Sequence, residues 1–187
     1  MEPSIQNKLL DINRAFYNHF DGSFSATRGH VQPGVDRLLK GFNQDIKVLD
    51  VGCGNGTLAR ALKSQGFEGS YLGVDMSAGL LEKAKKLLGS SSNSNFDFCL
   101  FDIADPQWIS HLPQNAYDWL AVFAVLHHLP GSDLRRQIAR DFRKLISPEG
   151  RVTVSVWQWQ NSLRLRKRVL PWFTVGLLQQ QLDQGDV

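Results

Sequence analysis

The chain has 187 residues, 42% hydrophobic and 21% charged, which suits one domain with a real core and excludes a mainly disordered chain. A formal net charge of +3 permits an anionic partner such as RNA without demanding one. Two cysteines, Cys53 and Cys99, cannot build a disulfide framework and lack zinc-finger spacing, so reduced thiols in a cytoplasmic protein, and no metal, are expected.

The N-terminus has no charged start followed by an apolar run, so a secretory signal is not expected. No apolar stretch approaches the roughly 18 residues that span a bilayer, so no membrane partner is expected either. The longest candidate, residues 169–178, is broken by Pro171 and Gly176.

In chain order, Ile5, Leu9, Ile12, Phe16 and Phe20 repeat at helical spacing and predict a helix over residues 5–20. Residues 1–44 thus form an N-terminal helical segment. From residue 45 to 160, short β-branched or aromatic runs alternate with longer helical patterns. Strands are predicted at 47–51, 70–74, 96–101, 117–123 and 151–157, with helices at 56–65, 77–88 and 132–145. The stretch Gly-Ser-Ser-Ser-Asn-Ser-Asn over 89–95 reads as a loop. Nearly continuous apolar strands joined by helices specify an α/β fold, a doubly wound parallel sheet with right-handed crossovers. Residues 161–187 form a basic and apolar C-terminal segment. It opens on Arg164, Arg166, Lys167 and Arg168, a run that can touch phosphates or form a solvated helix face.

The chemistry concentrates at the first three strand ends. Val48-Leu49-Asp50-Val51 runs straight into Gly52-Cys53-Gly54-Asn55-Gly56. Glycines at alternate positions permit a sharp turn and close approach of a ligand to the backbone. Asp75 ends the second strand 19 residues after Gly56, where a carboxylate can accept from both ribose hydroxyls of a nucleoside. Met76 follows and can lie on the adenine face. Asp102, after the third strand, can accept from the adenine amino group. A tight turn alone accounts for one or two glycines, but not for acids at three consecutive strand ends.

Two nucleotide cofactors compete for this arrangement. A dinucleotide favours G-x-G-x-x-G, with the helix N-terminus facing its pyrophosphate. The spacing here is G-x-G-x-G, and Asp50 would repel a pyrophosphate while attracting an ammonium or sulfonium. The preferred cofactor is therefore S-adenosyl-L-methionine over NAD.

VLDVGCGNGTLA, LGVDMS, FDIAD, YDWLAVFAVLHHLP and LISPEGRVTVSVW resemble, in order, the motifs of class I S-adenosylmethionine-dependent methyltransferases, which have a Rossmann-like fold. The resemblance implies cofactor contacts from Asp50, Gly52, Cys53, Gly54 and Gly56 around the methionine part. It also implies contacts from Asp75 and Met76 at the ribose and adenine, from Asp102 and Ile103 at the adenine, and from the backbone near Phe123. Upstream, Phe24-Ser25-x-Thr27-Arg28 and, later, Leu126-His127-His128 resemble segments of the eukaryotic tRNA methyltransferases that esterify 5-carboxymethyluridine at the wobble position. That resemblance implies a tRNA acceptor.

Arg28 can bind the cofactor's carboxylate, or an acidic acceptor, through both arms of its guanidinium. His127 and His128 follow the fourth strand, where the methyl should emerge, and can take a proton from a hydroxyl or amine acceptor. A carboxylate acceptor needs no base, being ionised at neutral pH. Tyr17 and Phe24 can roof the cofactor or pack in the core, and Trp157 and Trp159 can line the acceptor pocket or cover the sheet. No nucleophilic cysteine stands near the fourth strand, which disfavours C5 methylation of pyrimidines.

Two alternatives stay open: a small-molecule O- or N-methyltransferase, and a non-catalytic scaffold or partner subunit for a tRNA-modifying enzyme; an activating protein subunit also stays open as a partner. After Trp157 only about 30 residues remain, without a clear hairpin, so the resemblance's final two strands are expected to be missing and the fifth strand to keep an open edge.

Overall fold

The computed structural model describes residues 1–26, 31–41, 43–89, 95–167 and 169–186. Five strands, β1 (Lys47–Val51), β2 (Ser70–Asp75), β3 (Phe96–Leu100), β4 (Tyr117–Phe123) and β5 (Ile146–Ser155), form one sheet in the order β3-β2-β1-β4-β5. Every pairing is parallel. The chain winds outward from β1 through β2 to β3, then returns to the other side of β1 for β4 and β5. Loops leaving β1 and β4 therefore diverge, and the crevice between them is where open α/β sheets bind ligands.

Alternation along β1 sorts the two layers. Leu49 and Val51 join Leu120, Val122, Ile138, Phe142 and Leu145 on the face covered by α5 (Ser132–Leu145). Val48 joins Leu58, Leu62, Leu81, Ala84, Tyr71 and Phe98 on the face covered by α3 (Thr57–Ser64) and α4 (Ala78–Leu88). Asp50, two residues after Val48, points to that second face.

The predicted strands and helices agree with these bounds to within a residue, except at β5. That strand begins at Ile146, five residues earlier than expected. Ile146 pairs with Tyr117, the register then shifts, and Arg151 pairs with Trp119. Pro148 and Gly150 fall between these two pairs. Here they occupy an irregular stretch of the strand, where a missing N–H is tolerated.

The N-terminal helix, α1 (Pro3–Ala26), is longer than the predicted 5–20. Only the first part of its apolar stripe is core: Ile5 and Leu9 are buried, whereas Ile12 and Phe16 are 39% and 47% exposed. Ile5 and Leu9 pack on Leu177, flanked by Trp172, Val175 and Leu182 of the C-terminal segment. The short helix α2 (Pro33–Leu39), absent from the sequence reading, buries Val35 and Leu39.

Among the described residues of the C-terminal segment there are 3₁₀ turns and one helical turn, Leu163–Arg166, and no further strand. Asp183 and Asp186 tie this segment to the start of α5. Asp183 accepts from the Ser132 amide (2.8 Å), and Asp186 pairs with Arg135 (2.6 Å). Among the described residues no helix is long and apolar enough to cross a membrane.

Candidate active site

The glycine turn after β1 is held by its own amides. Gly52 and Cys53 N–H both donate to Val74 O (2.8 and 3.0 Å), Gly54 N–H to Asp75 Oδ2 (2.9 Å) and Gly56 N–H to Cys53 O (3.0 Å). The loop therefore has none of these donors left to cradle a pyrophosphate. Gly52 adopts φ +72°, and a Cβ there would collide with the Val125 side chain. The turn after β1 and the turn after β4 thus touch at the one atom glycine omits.

A cleft of about 420 Å³ opens over this turn. Of the residues singled out in sequence, Asp50, Gly52, Cys53, Gly54, Asp75, Met76, Asp102, Ile103, Phe123 and His128 line it. Gly56 and His127 do not. Gly56 initiates α3 at φ +72°, and its Cα faces Ala84 and Phe98, so it serves helix packing. The His127 ring packs at a tilt against its neighbours, 4.1 Å from His128 and 5.0 Å from Trp157 between centroids. Arg28 lies outside the described residues, with Thr27 and Arg168, as do the side chains of Phe20, Phe24 and Trp159.

The three strand-end acids differ in their surroundings. Asp50 is 3% exposed and accepts a 2.6 Å hydrogen bond from Tyr71 Oη. Burial pushes its carboxyl up to about 7, against the pull of the Tyr71 bond and with a further push from Asp75. Among the described residues no ion pair reaches it, so the site has the chemistry of a cation receptor without a protein cation. Asp75 Oδ1 accepts from Ser77 N–H (2.9 Å), and Gly54 N–H holds Oδ2, leaving lone pairs on both oxygens. Burial raises its carboxyl too, while these backbone bonds restrain the rise. The Cys53 thiol is pushed well up, first by burial and then by Asp50 and Asp75, so it stays a neutral wall of the cleft rather than a nucleophile.

Asp102 is the surprise. Its Oδ2 accepts from both Nε (2.9 Å) and Nη2 (2.6 Å) of Arg14, and its Oδ1 from Ala104 N–H (2.9 Å). The acid that sequence assigned to the adenine amino group is thus engaged by a side chain from α1. That helix contributes Leu10, Asn13, Arg14 and Tyr17 to the cleft, the i, i+3, i+4, i+7 face next to its apolar stripe. Asn13 and Arg14 escaped the sequence reading. The helical spacing signalled their shared face, but nothing signalled partners 115 and 88 residues away. Ala124 was missed as well. It lines the cleft at φ +58°, pinned by Ser155 O (3.0 Å) and Oγ (3.1 Å). A non-glycine residue held in that region marks stored strain at the rim of a site.

This sheet order, with a glycine turn after β1 and acids ending β1, β2 and β3 around one cleft, defines a Rossmann-like methyltransferase fold. The chain belongs to the methyltransferase-domain family, whose model matches residues 42–181. It is 23% identical over 173 residues to the mouse tRNA (carboxymethyluridine(34)-5-O)-methyltransferase ALKBH8, covering 91% of this chain and 22% of that protein. It is 26% identical over 166 residues to the Schizosaccharomyces pombe tRNA (carboxymethyluridine(34)-5-O)-methyltransferase, covering 88% of this chain and 64% of the relative. The chain therefore spans under two thirds of the length of these relatives. Among solved structures, the phosphoethanolamine N-methyltransferase 2 of Haemonchus contortus in complex with S-adenosyl-L-methionine superposes with a TM-score of 0.57 at 18% identity. It covers 73% of this chain and 30% of that one.

Proposed function

We propose that this domain binds S-adenosyl-L-methionine in the cleft and transfers its methyl group to an acceptor at the β4 side, the acceptor being the carboxylate of a tRNA wobble uridine. The observation that carries the cofactor reading is Asp50: a buried carboxylate, held by Tyr71 and with no cation paired to it among the described residues, beside a turn whose Gly52, Cys53, Gly54 and Gly56 amides already donate within the protein. It suits a cationic amino-acid end, and Asp75 with its spare lone pairs suits a ribose. The bound cofactor supplies a methyl already activated by the sulfonium, which the acceptor oxygen takes in one in-line displacement as S-adenosylhomocysteine leaves.

The protein's own task is alignment and exclusion of water. Gly52 and Gly54 let the cofactor lie on the backbone, and Met76 and Ile103 flank the adenine. Phe123 and His128 bound the side from which the acceptor arrives. A carboxylate acceptor arrives ionised, so no residue need remove a proton, and His128 orients rather than deprotonates. The net charge of +3, the basic residues Arg164, Arg166 and Lys167, and the two tRNA-modifying relatives support a tRNA acceptor. Arg28 and a possible activating protein subunit belong to the same reading.

The test is transfer of labelled methyl from S-adenosylmethionine to tRNA whose wobble carboxymethyluridine is unesterified. Base-labile label in that tRNA, absent from fully modified tRNA, is the expected result. Label in protein or small-molecule extracts instead would redirect the acceptor, and no label in any fraction despite cofactor binding would favour a scaffold.

A further inference from the structure

Helix α1 crosses the mouth of the cleft like a strap. Arg14 meets Asp102 after β3, while Asn13 and Tyr17 meet His128 after β4, so one helical turn joins the two rims. The Arg14 end lies toward the nucleoside acids. The Tyr17 end lies against the residue that bounds the acceptor's approach. Tyr17 Oη and His128 Nε2 are 2.6 Å apart, and Asn13 Nδ2 donates to His128 O at 2.6 Å. The Tyr17 ring meets the imidazole edge-on with centroids 5.2 Å apart, and Trp157 also meets it edge-on, at 5.9 Å.

We propose that Tyr17 is a positioning residue of the methyl transfer, its hydroxyl fixing the His128 imidazole at the acceptor's side of the cleft. A bond at one ring nitrogen sets what the other offers. If the phenol donates to Nε2, the proton sits on Nδ1. If Nε2–H donates to the phenol, Nδ1 carries the lone pair. In either case the bond holds the ring in one orientation and couples its protonation to the direction of the hydroxyl proton. Packing alone does not need the hydroxyl, because a phenylalanine would keep the edge contacts to His128 and to Phe16, 5.3 Å away. The polar bond, drawn from a helix outside the sheet onto a cleft-lining imidazole, is what packing leaves unexplained.

The inference rests on the methyl-transfer reading for the identity of the reaction, but the bond is observable without turnover. Tyr17→Phe removes the hydroxyl and keeps the ring. In protein labelled with ¹⁵N-histidine and saturated with S-adenosylhomocysteine, the His128 ring-nitrogen shifts should report one tautomer in the parent and a different or averaged state in Tyr17→Phe. Affinity for S-adenosylhomocysteine should stay within about twofold, while kcat on unesterified tRNA falls about tenfold with KM for S-adenosylmethionine unchanged. In a His128→Ala background the same substitution should change kcat by less than about twofold, because the two act as a unit. Unchanged His128 nitrogens in Tyr17→Phe overturn the proposal, and so does a loss of kcat that persists undiminished in His128→Ala. If no tRNA is labelled at all, the acceptor assignment falls, and the nitrogen spectra still decide the role of Tyr17.

Discussion

Asp50 concentrates the physics of the site in one carboxyl. Its value is raised from 3.8 to about 7 chiefly by burial, so folding favours the protonated form. Its contribution to the stability of the ligand-free protein is full below the ordinary carboxyl value and is lost as pH rises through about 7. A cationic ligand reverses the preference, because it stabilises the carboxylate. Affinity for S-adenosylmethionine should therefore rise between about pH 5.5 and pH 7.5, with proton release visible in calorimetry across buffers of different ionisation enthalpy. Asp50→Asn should flatten that dependence, weaken binding about tenfold or more, and raise the melting temperature of the free protein near pH 8. A lower melting temperature there would mean that the ionised carboxylate is better solvated than its burial indicates. Gly52 makes a second residue-scale prediction. Gly52→Ala combines a left-handed φ with a collision against Val125, and should cost about 2–4 kcal/mol in urea unfolding. Val125→Ala in the same chain should recover part of that loss.

At the scale of elements, β1, β4 and the three helices that cover the sheet were legible in sequence, because their apolar runs and periodicities match their burial. Asp50, Asp75 and Asp102 were legible for the same reason: each lies within two residues of the end of a strand that periodicity locates. Helix α1 was only half legible. Its apolar stripe announced a helix, but its middle turns Asn13, Arg14 and Tyr17 to the cleft while Ile12 and Phe16 stay substantially exposed. Long-range pairs such as Arg14–Asp102 leave no local signal. Ala124 in a left-handed conformation contradicts the local expectation that glycine or asparagine stands there. The anchor of α1 is the Ile5, Leu9 and Leu177 cluster. Leu9→Ala should cost about 2–3 kcal/mol and, by loosening the strap, raise hydrogen exchange along residues 10–17 more than in the sheet. Equal protection of α1 in both proteins would show that the cleft contacts alone hold the helix.

For the whole molecule, the sheet's two edges are unequal. Among the described residues β5 pairs only with β4, and Val152, Val154 and Val156 are 42%, 45% and 54% exposed on alternate positions. An open, apolar edge is a template for pairing with another chain. Concentration-dependent association should therefore be measurable by light scattering, and Val154→Lys should suppress it without affecting cofactor binding. Persistence of association in Val154→Lys would locate it elsewhere, for instance around Leu170 and Phe173, both 72% exposed.

Methyl transfer here requires a cationic sulfur nucleoside in the cleft between the β1 and β4 turns. Isothermal titration of the folded protein with S-adenosylmethionine near pH 7.5 addresses it in one measurement. The expected result is one site with micromolar affinity, strongly reduced in Asp50→Asn. Absence of binding by protein with an intact circular-dichroism spectrum and a cooperative melt, for both S-adenosylmethionine and S-adenosylhomocysteine, would contradict it.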